Sequence, residues 1–273
     1  MKLTVLVDNN TLIDRYYLGE PGVSYYIEEN GVSYLLDTGY SDVFLRNAAA
    51  MQLDLTKLRA LILSHGHNDH TRGLSFLCSN LKGQKIKQIE LIAHPWVFSP
   101  KIYRGQDIGS VLTKDEAEAY FKLQLTKEPY WLSEKLVFLG EIPRKNSFEA
   151  GAPLGETAID GVWQPDFVQD DSALAYKSQA GLVILTGCSH AGICNIVTYA
   201  RQVCREPRVA ALVGGTHLRH AAAARLDETR KFLAALKPQA VYACHCTDLE
   251  AKINLAGELP VREVGVGQVL EFA

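Results

Sequence analysis

Residues 65–70 read His-Gly-His-Asn-Asp-His and place four metal-ligand side chains within six positions. Neutral imidazole and carboxylate are ligand types that suit zinc, iron or manganese. His65 and His67 are two apart, so in an extended loop they point the same way and can share one metal. Asp69 and His70 follow at once and can turn toward a second metal beside it. Gly66 allows close backbone approach and a strained turn. The competing reading is a solvated polar loop. However, three of the eight histidines of the chain fall in these six residues, which composition alone does not explain.

Such ligands need rigid supports, and the surrounding pattern supplies them. The apolar run 58–63 reads as a strand ending at the cluster, and 74–81 as the start of a helix. Upstream, 3–7 is a short strand, 23–28 and 32–36 form a hairpin about Glu29-Asn30-Gly31, and 44–51 is a short helix. Downstream, 89–93 is a strand that ends at His94-Pro95. Residues 173–177 and 182–186 read as a second hairpin, 193–203 as a helix and 209–213 as a strand. Residues 227–236 read as an amphipathic helix closed by Lys237-Pro238, and 240–243 as a last strand before Cys244-His245-Cys246. Alternating strands and helices with hairpins in each half predict an α/β class with mixed sheets. The expected organisation is a single domain over 1–273, with a first half at 1–95, an insertion at 96–150 and a second half at 151–273. The insertion is aromatic and basic, with 115–123 read as helical. It suits either a lid over a flat anionic substrate, with Trp96, Arg104 and Arg144 as substrate contacts, or a surface excursion packed by its own aromatics.

The cluster, the hairpin ending in Asp37-Thr38-Gly39, the Gly-Cys-Ser-His-Ala-Gly run at 187–192 and the His at 245 together resemble the metallo-β-lactamase superfamily of metal-dependent hydrolases. The segments Gly-Cys-Ser-His-Ala-Gly (187–192), Gly-Gly-Thr-His-Leu (214–218), His-Cys-Thr (245–247) and Gly-Glu-Ile-Pro-Arg (140–144) resemble one branch within it. This is the 7,8-dihydropterin-6-methyl-4-(β-D-ribofuranosyl)aminobenzene-5'-phosphate synthase-like branch, whose archaeal members join a hydroxymethyl-dihydropterin diphosphate to a ribofuranosylaminobenzene phosphate. The resemblance implies a metallo-β-lactamase-like four-layer αββα sandwich of two mixed β-sheets. It also implies two divalent metal ions, zinc foremost, with iron or manganese as alternatives.

On that resemblance, the first metal takes His65, His67 and His190, and the second takes Asp69, His70 and His245. Asp37 supports an imidazole from beneath. The chain departs from the superfamily between its halves: Gln169-Asp170-Asp171 stands where a histidine is usual, and Cys188 where a bridging aspartate is usual. Three arrangements are open. Asp171 replaces the histidine, Cys188 takes the bridging place, or one metal binds firmly and the other weakly. His217, after a glycine pair at a strand end, is a candidate proton or hydrogen-bond donor to substrate, as Asp69 is the candidate to orient water. His94, before a proline, carries a ligand reading and a structural one equally.

With 273 residues, 47% of them hydrophobic, the chain can bury a large core. A net charge of −3 gives no general attraction to nucleic acid or anionic membrane. No apolar run approaches the roughly 20 residues needed to cross a bilayer, and Met1-Lys2 leads straight into the first strand. A cytoplasmic protein is expected, its partner a small anionic substrate, with no nucleic acid and no membrane; its oligomeric state is left open. The six cysteines need no disulfide at this size, and Cys244-x-Cys246 lacks the second pair that a zinc knuckle requires. The leading functional expectation is a metal-dependent enzyme for a phosphorylated or diphosphorylated small molecule, pterin-like in kind. It would use metal-activated water or Lewis-acid activation of a phosphoryl group. The alternatives are a phosphodiesterase, nuclease or other metallohydrolase of the same fold, and a ligand-binding or sensor protein without turnover.

Overall fold

The computed structural model describes residues 1–81 and 89–273. A seven-stranded sheet carries Lys2–Val7, Ser24–Glu29, Val32–Leu36, Leu58–Ile62 and Ile89–Ala93, edged by Val269–Glu271 on one side and Phe121–Leu125 on the other. A six-stranded sheet carries Ala240–Cys244, Val209–Gly215, Gly181–Thr186, Ala173–Ser178, Leu136–Phe138 and Tyr130–Trp131, in that order. Each sheet mixes parallel and antiparallel neighbours.

The two sheets face each other across one apolar layer. Leu3, Tyr25 and Leu36 of the first sheet are buried in the same cluster as Phe138, Leu174 and Leu185 of the second. Helices Val43–Ala50 and Leu74–Leu81 cover the outer face of the first sheet. Helices Ile193–Cys204, Ala223–Ala235 and Leu249–Ala256 cover the outer face of the second. The result is the expected four-layer αββα sandwich. Each fully buried large side chain between the sheets contributes about 1.5–3 kcal/mol, and the strands that end at the site contribute Leu3, Leu36, Ile62 and Leu185 to that layer.

Residues 96–150 do not form a separate insertion. Phe121–Leu125 pairs in parallel with Ile89–Ala93, and Leu136–Phe138 pairs with Ala173–Ser178, so this stretch completes both main sheets. Only Lys101–Tyr103 and Gln106–Asp107 leave, to join Glu156–Ile159 and Val162–Pro165 in a small four-stranded sheet. The helix expected over 115–123 is confined to Lys114–Glu118, started by a Thr113–Glu116 capping box. Beyond it, Phe121 is buried and Phe121–Leu125 becomes a strand. Pairing with a parallel edge outweighs the local helical pattern there.

Candidate metal centre

Every chemically loaded residue follows the C-terminal end of a strand that runs in the same sense within its sheet, where ligands of open α/β sheets bind. Lys2–Val7 delivers Asp8 and Asn9, Val32–Leu36 delivers Asp37, and Leu58–Ile62 delivers the histidine cluster. From the other sheet, Gly181–Thr186, Val209–Gly215 and Ala240–Cys244 deliver Cys188 with His190, His217, and His245 with Cys246. Asp37, Ser189, His217 and His245 all sit at positive φ (58°, 65°, 49° and 50°). Such backbone costs of order 1–3 kcal/mol per residue and persists where surrounding structure enforces it. Gly66 does not share that conformation. A Cβ there would lie 2.3 Å from the Val97 carbonyl oxygen, so glycine is needed for space. At Gly187 a Cβ would lie 2.1 Å from Ser64 Oγ.

Among the described residues, five overlapping groups of three have their ligand atoms within 4.8 Å of one another. Two are the expected triads, His65, His67 and His190, and Asp69, His70 and His245. The other three all contain Cys188, with His65 and His70, with His190 and His217, and with His245 and Cys246. His65 Nε2 faces His67 Nδ1 at 3.0 Å. Asp69 Oδ2 lies 3.3 Å from His245 Nε2 and 3.8 Å from His70 Nε2. The Cys188 thiol lies 3.2 Å from His70 Nε2 and also groups with His65, so it touches both triads. Asp171 does not. One of its oxygens accepts the Ala191 N–H, the other has no partner, and it joins none of the ligand groups found among the described residues. Of the three arrangements open from the sequence, the geometry favours Cys188 between the triads.

Hydrogen bonds set the imidazole tautomers. Asp37 Oδ2 accepts the Ser64 hydroxyl proton at 2.7 Å and His70 Nδ1–H at 2.7 Å, while Oδ1 accepts the Ser64 N–H. Ser64 Oγ has thereby spent its only proton, so it accepts from His65 Nδ1 at 2.9 Å. One buried carboxylate therefore turns the Nε2 lone pairs of both His65 and His70 inward. Asn9 Oδ1 does the same for His245, at 2.8 Å from its Nδ1, and Asp8 accepts the His245 N–H. His67 Nε2 and His190 Nε2 are buried without partners. Inward lone pairs beside unpartnered nitrogens are what a cation would satisfy, so the residues fit a metal.

Protonation follows burial and charge. Burial, then neighbouring imidazoles, hold His65 and His190 well below the usual histidine range, and burial brings His67 to about 4. Burial also opposes charge on His70, but Asp69 and Asp37 outweigh it and raise it to about 9. Burial opposes the Asp69 charge too, yet His70 and His245 hold its carboxyl low. Burial pushes the Cys188 thiol far up and brings Asp171 to about 7. Against burial, Cys188 and His217 draw the Cys246 thiol down.

A cavity of about 430 Å³ opens above the triads, lined by Asp69, His190, His217, His245 and Cys246 among others. The His217 ring packs 4.1 Å from His190. Trp96 lines a different cavity, of about 210 Å³, with Lys101 and Asp170. Arg104 is an exposed hairpin-tip residue stacked on Tyr103, and Arg144 reaches the cavity that carries His190 and His217. The structure thus brings Arg144 near the centre but not Trp96 or Arg104. His94 is bonded to Glu141 and to the Trp96 N–H and takes the structural reading. Cys244 points away, at the Tyr25 hydroxyl.

Ser64, Asn9, Cys246 and Lys101 were not legible as site residues. Lys101, 2% exposed, bonds Asp170 at 2.9 Å and Asp166 at 3.1 Å, and Asp170 in turn accepts the Gly66 N–H. The small sheet is therefore pinned under the His65–His67 loop by a buried ionic triad. Lys101→Met is expected to lower stability by about 3–5 kcal/mol, because it leaves two carboxylates buried without their cation. Adding Asp166→Asn and Asp170→Asn should recover much of the loss in urea unfolding; no recovery would place the cost elsewhere.

The sequence model of the metallo-beta-lactamase superfamily matches residues 18–245. A 7,8-dihydropterin-6-methyl-4-(beta-D-ribofuranosyl)-aminobenzene-5'-phosphate synthase of Methanocaldococcus jannaschii is 29% identical over 250 residues, 87% of this chain and 84% of that protein. The crystal structure of Tm1679, described as a metal-dependent hydrolase of the beta-lactamase superfamily, superposes with a TM-score of 0.85 and 26% identity, covering 100% of this chain and 99% of that one. Zinc-bound PqqB from Methylobacterium extorquens shares the fold at a TM-score of 0.54 and 14% identity, with full coverage of both chains. With its two sheets, its strand-end histidines and a match over most of its length, the chain belongs to the metallo-β-lactamase superfamily.

Proposed function

We propose that this protein is a zinc-dependent enzyme acting on a phosphorylated or diphosphorylated, pterin-like small molecule. The observation that carries the reading is the pair of three-residue ligand sets joined by Cys188 beneath one open cavity. The 29% identity to a dihydropterin-related synthase supports the substrate class. Thiolate and imidazole donors together suit zinc. His65, His67 and His190 would hold one ion, and Asp69, His70 and His245 the other, with Cys188 between them. Bound there, such ions supply water acidified toward pH 7 and polarise a phosphoryl oxygen.

The chain's own groups do the rest. Asp69, part-exposed at the cavity, is placed to orient an attacking group while it ligates. His217 lines the same cavity with Nδ1 unpartnered, placed to give a proton to a leaving oxygen. Asp37 and Asn9 hold the imidazoles so that no rearrangement is needed during reaction.

The test is diphosphate release from hydroxymethyl-dihydropterin diphosphate by zinc-loaded protein, with and without ribofuranosylaminobenzene phosphate. Release that requires both compounds is expected for a synthase. A hydrolase is the second reading, favoured by the description of Tm1679, and predicts release from the diphosphate alone. No release in either mixture would overturn the substrate class.

A further inference from the structure

Next to the metal cavity lies a second one, of about 160 Å³, walled by Arg144, Glu149, Asp166, His190, His217 and Arg225 among others. His190, His217 and Leu154 line both cavities, so the two adjoin at the metal cluster. Its acids are engaged away from its arginines. Both Glu149 oxygens are spent on the Cys194 and Asn195 N–H groups at the start of helix Ile193–Cys204, with Asn146 as a further donor. Asp166 is spent on Lys101 and the Val168 N–H. Among the described residues neither acid forms an ion pair with Arg144 or Arg225.

The cationic side is only partly spent. Arg225, in the first turn of helix Ala223–Ala235, has its Nε buried with no hydrogen-bond partner. Arg144 gives one N–H to the Val168 carbonyl and stands at the rim, with the buried carboxyl of Asp171 near enough to feel its charge. His217 Nδ1 is unpartnered as well. A buried donor left unmade is costly, and a guanidinium beside imidazole is a recurrent cradle for phosphate-type oxyanions.

We propose that Arg144 and Arg225 form an anion subsite beside the metal cluster that holds a second phosphate-type group of the substrate. It rests on the reading of the cluster as a metal centre and deepens it: the substrate carries two anionic groups, one at the metals and one at the arginines. Arg225 then selects diphosphates and doubly anionic compounds over monoanionic ones.

The probes are inorganic pyrophosphate and orthophosphate, titrated into zinc-loaded wild type, Arg225→Gln, Arg225→Lys and Arg144→Gln at matched zinc content. Arg225→Gln is expected to weaken pyrophosphate binding about tenfold or more, as loss of a charge-assisted contact does. Arg225→Lys should retain part of the affinity, and orthophosphate, too small to reach both places, should weaken less. Equal pyrophosphate affinity in wild type, Arg225→Gln and Arg144→Gln would overturn the subsite. If the wild type took up no zinc, the functional reading would fall by itself. Orthophosphate binding to the metal-free chain, present in wild type and absent in Arg225→Gln, would still support the subsite, and binding indifferent to Arg225 would reject it.

Discussion

His65→Ala is expected to lose bound metal and activity together. His65 is fully buried, its Nδ1 is committed to Ser64, and its Nε2 meets the atoms of His67 and the group that includes Cys188. It therefore belongs to one triad and borders the other. Removing a partner that merely orients a ligand costs about 10–100-fold in metal affinity. Removing this ligand should exceed that range and leave about one tightly held zinc per chain, the one held by Asp69, His70 and His245. Activity on any substrate of the centre should fall in parallel. The expected signature is joint loss, measured as zinc per chain after dialysis beside turnover, with the fold retained by circular dichroism. A variant with full zinc content and full turnover would remove His65 from the site. Asp37→Asn makes a useful companion. Asp37 Oδ2 accepts from both Ser64 Oγ and His70 Nδ1, so an amide oxygen placed there sets an NH2 against the Ser64 N–H, and one turned the other way holds neither imidazole; in both cases the loss should fall within the 10–100-fold range.

The sequence made legible the elements whose pattern and position agree. The strands Val32–Leu36, Ile89–Ala93 and Gly181–Thr186 lie within a residue or so of where the apolar runs place them. The six expected ligands do come together in two groups, because histidines at strand ends inherit their position from the sheet. What was not legible depends on contacts between distant segments. Phe121–Leu125 is a strand only because Ile89–Ala93 offers it a parallel edge, and Lys114–Glu118 beside it supplies genuine helix-start residues. Asn9 looks like an ordinary loop residue until the strand ends of both sheets converge and bring it to His245, 236 positions away. Trp96 and Arg104 were drawn to the site by composition, and composition carries no direction. Backbone pairing turns Arg104 out on a hairpin, and Trp96 lines a separate cavity with Lys101 and Asp170. Cys188 stood in a place where a bridging aspartate is usual, and only its distances to both triads favour that arrangement over one in which Asp171 replaces the missing histidine.

Cys188→Ser is expected to cut tight zinc binding from two ions to one and to change how binding depends on pH. In the metal-free chain Asp69 and Asp37 raise His70 to about 9, and burial raises the Cys188 thiol well above its usual range. Both groups are therefore protonated at pH 7, and both must release a proton to bind metal. Because these values are raised, lower pH favours the protonated, metal-free form, and affinity climbs as pH rises toward 9. Each displaced proton makes affinity rise about tenfold per pH unit. Wild type should thus gain about 100-fold per unit between pH 7 and 8 for the ion held by Asp69, His70 and His245, and the serine variant about tenfold. Calorimetric titration in buffers of different ionisation enthalpy counts the protons directly, near two for wild type and near one for Cys188→Ser. Cys188→Asp supplies a carboxylate that is already ionised, so it should restore the second zinc while keeping the lower proton count. A purely structural thiol would leave the zinc stoichiometry and the proton count unchanged in both variants. That result would take Cys188 out of the bridging place and leave two separate three-residue sets, His65, His67 and His190, and Asp69, His70 and His245.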